Sequence, residues 1–276
     1  MATTTKKNPR TLTEGDSEPL SVLWYGDGGT GKTSSLCSLA NVGRVLVVNA
    51  EKGVKRRALK RLGILVDNIE VFPVGSEEIT FESLEKEWLR VREALDTDPT
   101  AYVGFLWDSM TQIYNILYEH VLTSSEEWES RSGKKKDPRQ NYGEANEQLK
   151  KLTRKAMDLP CHFGATALER RDQDDDGVVT YRPSIPPGLM KDAYGWFDLV
   201  AHTTLEAVGP DEQYRGLFRP LGKYRGKDRE GIMPRTLVSP SFDRVIEYAE
   251  EALTAKTDPV MIEAQKQIDA VKKSDN

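Results

Sequence analysis

A glycine-rich segment with one lysine and two threonines is the strongest chemical signal in the sequence. Residues 26–33 read Gly-Asp-Gly-Gly-Thr-Gly-Lys-Thr and satisfy the spacing G-x-x-x-x-G-K-[ST]. Glycines let the backbone curl until several N–H groups converge on one anion, and a helix that begins near Lys32 would point its positive end at the same place. The segment therefore predicts a phosphate-binding loop. Its expected contacts with nucleotide are Gly26, Asp27, Gly28, Gly29, Thr30, Gly31, Lys32, Thr33 and Ser34.

Lys32 and Thr33 are the side chains of this segment that would act on a nucleotide directly. A lysine here can reach the β- and γ-phosphates of ATP, and a threonine hydroxyl can ligate Mg²⁺. The segment follows an apolar run and opens a helical pattern, which is the context that a phosphate-binding loop requires. The sequence therefore predicts a site for ATP and Mg²⁺, and a glycine-rich turn without a ligand is the alternative.

A magnesium shell also needs a carboxylate, and Asp108 is the candidate. It ends the apolar run 103–107, so a strand there would deliver the carboxylate at its carboxyl end, where the ligands of parallel sheets collect. With Thr33 it would form the protein part of the metal site. The alternative is an aspartate that caps the next helix, although Ser109 can fill that role instead.

Hydrolysis needs a group that orients or deprotonates water, and Glu51 is the candidate. It follows the apolar run 45–49 directly, which places it at the same edge of a parallel sheet. A surface glutamate that begins a loop is the alternative.

Alternating apolar runs and helical patterns must position these side chains. The expected strands are short and continuously apolar, as in strands buried on both faces. They span 22–25, 45–49, 69–74, 103–107 and 162–167. Between them, apolar residues recur every three or four positions, which predicts helices. The alternation favours an α/β fold with a mostly parallel central sheet flanked by helices. The later segments 199–205, 214–221 and 236–238 predict an antiparallel β extension.

Length, composition and net charge limit the classes of protein to which this chain can belong. The chain has 276 residues, of which 38% are hydrophobic and 30% charged. We expect a flexible tail over 1–18, a core over 19–253 and a helical tail over 254–276. No apolar run approaches the roughly 20 residues that span a membrane, and the N-terminus lacks a signal-peptide core. These features predict a cytoplasmic location. The net charge of −5 neither indicates nor excludes nucleic-acid binding.

The order of these elements resembles that of the RecA-like ATPases. In that family the strand after the phosphate-loop helix ends in an acidic motif whose glutamate positions the attacking water, and Asn49-Ala50-Glu51 stands at that place. The resemblance is closest to the phage RecA-like single-strand-annealing ATPases of the Sak group and covers about residues 20–250. Its further motifs are Trp107-Asp108-Ser109, Tyr142-Gly143 before a helix, and Lys227-Asp228-Arg229.

This resemblance implies a RecA-like P-loop NTPase fold over residues 19–253 and an ATPase stimulated by DNA. The implied partner is single-stranded DNA in recombination or strand annealing, with a single-strand-binding protein as a further candidate. The chain would associate with itself into a ring or filament that holds ATP at subunit interfaces, away from membranes and in the cytoplasm of a phage host. Glu51 would position water while Lys32 and Mg²⁺ neutralise charge.

Two departures from RecA itself concern the nucleotide. RecA has an aromatic residue that stacks on adenine a few positions after the glutamate, whereas this chain has Lys55, Arg56, Arg57 and Ala58 there. Base contacts must therefore differ. RecA also has a glutamine that senses the γ-phosphate at the end of its fifth core strand, where this chain offers Thr166.

Two further segments occupy the positions of the DNA-binding loops of RecA relatives. The first, 131–139, carries five positive charges against one negative charge, including Lys134, Lys135 and Lys136, between Trp128 and Tyr142. Such a loop can neutralise phosphates, and the aromatic residues can stack on bases. A solvated charged loop is the alternative. The second, 169–190, has an acidic tip that disfavours phosphate contact there, which leaves Arg170, Arg171 and Arg182 as the candidates around a hairpin turn expected at Asp176-Gly177.

A third basic segment has charges at a spacing of two. If it is an extended strand, Lys223, Arg225, Lys227 and Arg229 point to one side and must meet an anion. Residues 227–231 also resemble the Lys-x-Arg-x-Gly signature of bacterial RadA relatives, in which the lysine and arginine act across a subunit interface. The resemblance implies catalytic roles for Lys227 and Arg229 in a neighbouring active site. A solvent-exposed basic strand is the alternative.

Two other functions compete with recombination. A DnaB-like translocating helicase or its loader shares the core, but no appended hexamerisation domain is visible in the sequence. A nucleotide-gated interaction module with little turnover would show slow hydrolysis that DNA does not change.

Overall fold

One mixed sheet of ten strands organises the part of the chain that the structure describes. The computed structural model describes residues 18–133, 137–174, 176–208 and 211–254. The strands are β1 (Ser21–Gly26), β2 (Val45–Asn49), β3 (Ile69–Phe72), β4 (Gly104–Asp108), β5 (His162–Gln173), β6 (Val179–Pro183), β7 (Leu199–Val208), β8 (Asp211–Leu217), β9 (Lys227–Asp228) and β10 (Thr236–Val238).

Helices connect the parallel strands and cover both faces of the sheet. They are α1 (Lys32–Cys37), α2 (Arg56–Arg61), α3 (Phe81–Thr97), α4 (Met110–Ser132), α5 (Pro138–Met157), α6 (Pro187–Trp196) and α7 (Phe242–Thr254), with short 3-10 helices at Ser38–Asn41 and Val66–Asn68. Among the described residues, none of these helices is both long enough and apolar enough to cross a bilayer.

The strand order is β10-β8-β7-β1-β5-β4-β2-β3, with β6 paired to β5 and β9 paired to β7. Strands β7, β1, β5, β4, β2 and β3 run parallel, so their carboxyl ends meet at one edge. The predicted fold class, a mostly parallel α/β sheet with an antiparallel extension, is confirmed. One detail differs, because β7 pairs in parallel with β1, and the antiparallel pairing begins only between β7 and β8.

The central strand β1 shows why the parallel strands are continuously apolar. All six of its residues are buried. Leu23 and Tyr25 join a core with residues of α3, α4 and α5, whereas Val22 and Trp24 join a second core with residues of α1 and α7. Successive side chains of a strand point to opposite faces, so a strand that is covered on both sides must be apolar at every position.

Several predictions from the sequence lie outside the described residues. They concern most of the tail over 1–18, the loop residues Lys134, Lys135 and Lys136, and all of the C-terminal tail after residue 254. These stay predictions.

Candidate nucleotide and magnesium site

The glycine-rich segment joins β1 to α1, as the sequence predicts. Gly29 and Gly31 adopt φ values of +76° and +84°, which side chains with a Cβ rarely adopt. Gly31 also packs against an aromatic ring, since a Cβ at this position would lie 3.1 Å from Cδ1 of Tyr214. The loop therefore depends on glycine for its conformation and for its contact with β8.

Lys32 lies at the centre of the loop and is buried, with 8% of its surface exposed. Its Nζ donates hydrogen bonds to the carbonyl oxygens of Gly26 at 3.0 Å and Asp27 at 2.7 Å. Burial lowers the pKa of Lys32, and the nearby carboxylates of Glu51 and Asp108 oppose this effect. The ammonium is thus held against the loop backbone, where the phosphates of a nucleotide would replace the two carbonyls.

Two threonines fasten the loop to the neighbouring strand β7. The hydroxyl oxygens of Thr30 and Thr203 lie 2.9 Å apart, and the Thr30 hydroxyl also donates to the Asp27 carbonyl at 2.8 Å. The single hydroxyl proton of Thr203 is shared between the Thr30 oxygen and the carbonyl of Tyr25, which lies at 3.2 Å. Because these groups are buried, the bonds hold the loop in register with the sheet.

Asp108 ends β4 and meets two hydroxyl groups. The Thr33 hydroxyl lies 3.0 Å from Oδ2, and the Thr166 hydroxyl donates to Oδ1 at 2.6 Å. Asp108 is 1% exposed. Burial raises the pKa of Asp108, and the hydrogen bonds from Thr166 and Thr33 lower it. The carboxylate therefore faces the first turn of α1 in a nearly dry environment.

This donor set fits magnesium. Mg²⁺ prefers oxygen ligands and keeps several waters, so it is held by one or two protein groups together with phosphate oxygens. Thr33 and Asp108 supply one hydroxyl and one carboxylate at a single point. No group of three or more His, Cys, Asp or Glu side chains that could hold a metal occurs in the described parts of the chain, so this pair is not part of a larger acidic cage.

The turn after β2 closes against the same point. A Cβ at Gly53 would lie 3.0 Å from Oδ2 of Asp108 and 3.4 Å from Oγ1 of Thr33. The Asn49 side chain holds the turn by accepting a hydrogen bond from the Val54 backbone N–H at 3.1 Å. Sequence reasoning missed Gly53, although a glycine two positions after a candidate base was a visible signal.

Glu51 is placed beside Asp108 by this turn. Its backbone N–H donates to the Asp108 carbonyl at 3.1 Å, and its carboxylate accepts a hydrogen bond from the Ser109 hydroxyl. The same hydroxyl accepts from the Gln112 backbone N–H at 3.2 Å and so caps α4. Ser109, rather than Asp108, is therefore the helix cap, which leaves Asp108 free to face Thr33.

A second carboxylate lies close enough to the phosphate loop for its charge to raise the pKa of Lys32, and sequence reasoning missed it. The carboxylate of Glu169, near the middle of β5, lies 2.8 Å from Nε2 of His202, which is 2% exposed. The other ring nitrogen of His202 has no partner among the described residues. Burial lowers the pKa of His202, and Glu169 opposes this. A neutral ring that donates from Nε2 fits these contacts. The missed signal was the length of β5, which continues six residues beyond the predicted strand.

A cleft of about 310 Å³ runs along α1 away from the phosphate loop. Tyr214, Leu62 and Ile64 contribute apolar walls, and Ser34 lies at the end nearest the loop. Residues 55–58, which replace the stacking aromatic residue of RecA, do not line it. Because Gly31 and Ser34 line it, this cleft adjoins the phosphate loop and offers space for a nucleoside.

The predicted one-sided row of basic charges is wrong. Only Lys227 and Asp228 are in a strand, and the residues before them form a turn. Lys227 Nζ donates to the carbonyls of Tyr194 at 2.5 Å and Phe197 at 2.6 Å. Burial, and then the charge of Arg229, lowers the pKa of Lys227.

Arg229 is also engaged within the chain. It donates to the Asp198 carboxylate at 2.6 Å and to the Gly195 carbonyl. Lys227 and Arg229 thus satisfy carbonyls at the carboxyl end of α6. They lie beside the start of β7, whereas the phosphate loop lies beside its residue Thr203. Their predicted role in a neighbouring subunit stays a prediction.

The two segments at the positions of the DNA-binding loops, 131–139 and 169–190, are partly described. The hairpin turn expected at Asp176-Gly177 is confirmed, since β5 and β6 are antiparallel and Gly177 has a φ of +81°. Asp172 pairs with Arg170 at 3.0 Å and with Arg182 at 3.7 Å. Arg171 is not part of these pairs and is exposed. Trp128 and Tyr142, which flank the first segment, are both exposed.

Comparisons with known proteins found one matching family and a similar solved structure. The model of one family, described as AAA domain, matches residues 18–230. No curated protein matches the sequence. Among solved structures, the fold is similar to the flagellar accessory protein FlaH from Methanocaldococcus jannaschii, with 13% identity, a TM-score of 0.44, and 80% of this chain and 84% of that chain covered. The range of the family match includes the phosphate loop, Glu51, Asp108 and the Glu169–His202 pair.

Proposed function

The chain belongs to the AAA domain family, and we propose that it is a magnesium-dependent ATPase with a RecA-like core that acts on single-stranded DNA. The observation that carries the ATPase proposal is the meeting of Thr33, Asp108 and Glu51 beside the phosphate loop. These residues come from α1, β4 and the turn after β2, and each has the chemistry that phosphoryl transfer to water requires.

Separate side chains would bind the metal ion and the phosphates. Thr33 and Asp108 would hold Mg²⁺, which when bound neutralises charge on the phosphate oxygens. Thr166 fixes the Asp108 carboxylate by its hydrogen bond. Lys32 would leave the carbonyls of Gly26 and Asp27 to bind the β- and γ-phosphates. The N–H groups of the loop would receive the remaining phosphate oxygens.

Glu51 would orient the attacking water and accept its proton. It is exposed to solvent, and the Ser109 hydroxyl fixes its carboxylate. A positioned base of this kind contributes about 10²–10⁴ in rate.

The cleft along α1 supports ATP as the nucleotide. A nucleoside whose phosphates occupy the loop would extend past Ser34 into this cleft, where Tyr214 offers a ring face that is 41% exposed. An aromatic ring beside a base replaces the stacking contact that residues 55–58 lack.

Single-stranded DNA and self-association remain part of the proposal because of the resemblance to RecA-like annealing ATPases. Lys227 and Arg229 would complete a neighbouring subunit's site in a ring or filament. Since both now donate to groups at the end of α6, assembly would have to exchange these partners.

The test compares ATP turnover of the wild type and Lys32→Ala with and without single-stranded DNA. We expect the variant to be folded and nearly inactive, because Lys32 contacts loop carbonyls rather than the core. The exposed Lys60→Ala is the matched control. Equal turnover in the wild type and Lys32→Ala would contradict the ATPase site, whereas wild-type turnover that DNA does not change would contradict only the DNA role.

A further inference from the structure

Tyr25 connects the phosphate loop to a distant turn. It directly precedes Gly26 and is fully buried. Its hydroxyl donates to the Arg225 carbonyl at 2.5 Å and accepts from the Arg225 N–H at 2.9 Å. The Tyr181 carbonyl, on β6, lies 3.2 Å from the same oxygen. One hydroxyl thus joins the last residue of β1 before the phosphate loop to the turn that precedes β9 and to the β5–β6 hairpin.

The turn and the hairpin together form an aromatic and basic cluster, which we define as Tyr181, Lys223 and Tyr224. The two tyrosine rings have centroids 5.3 Å apart at an interplanar angle of 39°. The Lys223 ammonium lies 5.0 Å and 5.3 Å from their centroids, and Lys223 is exposed. The Lys223 carbonyl accepts a hydrogen bond from the Tyr181 N–H at 2.8 Å, so the cluster is fixed by backbone contacts.

The described ion pairs of the β5–β6 hairpin lie on the face that does not carry Tyr181. Asp172 engages Arg170 and Arg182 on one face of the hairpin. Arg171 is paired with Tyr181 in the β5–β6 register, so these two side chains share a face of the hairpin. Asp172, the next residue, lies on the opposite face. Within the described ranges, Arg171, Lys223 and Arg225 form no ion pair with a carboxylate. This side of the hairpin therefore presents ring faces and cations together.

Stacked rings continue from the cluster to the phosphate site. Tyr224 stacks on His202 with centroids 4.2 Å apart and an angle of 17°. His202 contacts the Tyr25 ring at 4.9 Å and pairs with Glu169 at 2.8 Å. A displacement of Tyr224 would therefore change the contacts of His202 with Tyr25, the residue before the loop, and with Glu169, whose charge acts on Lys32.

We propose that the cluster of Tyr181, Lys223 and Tyr224 binds single-stranded DNA, and that Tyr25 and His202 transmit this contact to the phosphate loop. The inference rests on the proposed function and names the surface and the route within it. Only unpaired bases expose faces that stack on tyrosine rings, and a phosphate would draw the Lys223 ammonium away from the rings that it now covers. Duplex DNA offers the phosphates without the base faces.

Binding is tested with a fluorescent single-stranded oligonucleotide and the variant Tyr181→Leu/Lys223→Ala, with Lys60→Ala as the control. Loss of one stacking contact and one phosphate contact should raise Kd by about 5- to 100-fold. Lys60→Ala should bind as the wild type does. An unchanged Kd in the double variant, or wild-type binding to duplex as tight as to single strands, would overturn the surface.

Transmission is tested with Tyr25→Phe, which removes the hydroxyl and keeps the ring. We expect it to bind the oligonucleotide and to hydrolyse ATP without DNA like the wild type, but to lose stimulation by DNA. Tyr248→Phe, on α7, makes the same chemical change in the other core and should remain stimulated. Full stimulation of Tyr25→Phe would overturn the route. A wild type that hydrolyses ATP but binds no single strands would instead refute the proposed DNA role itself.

Discussion

The hydroxyl of Thr166 donates a 2.6 Å hydrogen bond to the carboxylate of Asp108, and both residues are almost completely buried. The two lie on the neighbouring strands β5 and β4. This bond leaves the other carboxylate oxygen facing Thr33. Thr166, which stands where RecA has a glutamine, therefore positions the proposed metal ligand.

Thr166→Val should weaken the site for magnesium while preserving the shape of the core. Losing a hydrogen bond to a buried carboxylate costs about 1.5–3 kcal/mol, so the Mg²⁺ concentration for half-maximal ATP turnover should rise by about tenfold or more. Thr166→Ser keeps the hydroxyl and should behave like the wild type. A titration in which the valine and serine variants coincide would show that the bond does not position Asp108.

Glu51→Gln should separate binding from hydrolysis. The amide keeps the size of the side chain but cannot accept a proton, so we expect normal Mg-ATP binding and turnover slower by about 10²–10⁴. Glu126→Gln, an exposed change on α4, is the matched control. Binding is measured with a fluorescent ATP analogue and turnover by phosphate release. Normal turnover in Glu51→Gln would assign the base elsewhere, with Glu169 as the next candidate.

Gly53→Ala should disturb the metal site by a steric contact. The added methyl group would lie 3.0 Å from Oδ2 of Asp108, closer than ordinary van der Waals contact. Turnover should then require more Mg²⁺, while thermal stability changes little because Gly53 is exposed. Gly143→Ala, in α5 with open space around its Cα, is the control. The prediction fails if both alanine variants show the same magnesium dependence.

Lys227→Ala distinguishes a structural role from a role in assembly. If Lys227 mainly satisfies the carbonyls of Tyr194 and Phe197, its loss leaves them unpaired and lowers the free energy of unfolding by about 1–3 kcal/mol. Lys223→Ala, an exposed lysine of the preceding turn, should not destabilise the chain. Urea unfolding measures both.

Mixed assemblies test the predicted role in a neighbouring subunit. Lys227→Ala/Arg229→Ala subunits keep their own Lys32, whereas Lys32→Ala subunits keep the two basic residues. If these residues act across an interface, mixing two inactive variants should restore ATP turnover, because some interfaces then combine an intact loop with an intact partner. A mixture that co-assembles and stays inactive would place Lys227 and Arg229 at α6 alone.

His162 should make the fold sensitive to acid. Its Nδ1 accepts a hydrogen bond from the Leu20 N–H at 2.9 Å, and burial lowers its pKa to about 4. The unfolded chain, with an ordinary histidine pKa of about 6.5, binds more protons between these values. Stability is therefore lost as pH falls from about 6.5 to 4, by roughly 2 kcal/mol at pH 5.

His162→Asn should remove this contribution, because the amide oxygen keeps an acceptor near Leu20 and does not titrate. Urea unfolding at pH 7 and pH 5 should show a smaller loss in the variant than in the wild type. Equal losses in both proteins would mean that His162 does not titrate with the pKa that its burial indicates.

Features that depend on neighbouring positions in the chain could be predicted from the sequence. The glycine spacing specified the loop, and the apolar runs specified strands covered on both faces. Parallel strands end at one edge, so Glu51 and Asp108 were expected there without any knowledge of strand order. The hairpin turn at Asp176-Gly177 was predicted for the same reason, since turn chemistry is local.

Contacts between residues that are far apart in the sequence depend on the tertiary structure. Tyr25 and Arg225 are 200 residues apart, and Glu169 and His202 are 33 apart, so their contacts follow from the order β7-β1-β5 and its register. The prediction that the basic side chains of 223–229 form a one-sided row was wrong for a related reason. Alternation puts every second side chain on one face only while the chain stays extended, and here a turn precedes the two residues of β9. A lysine then donates to the carbonyls within its reach, which only the packing of α6 beside β9 supplies.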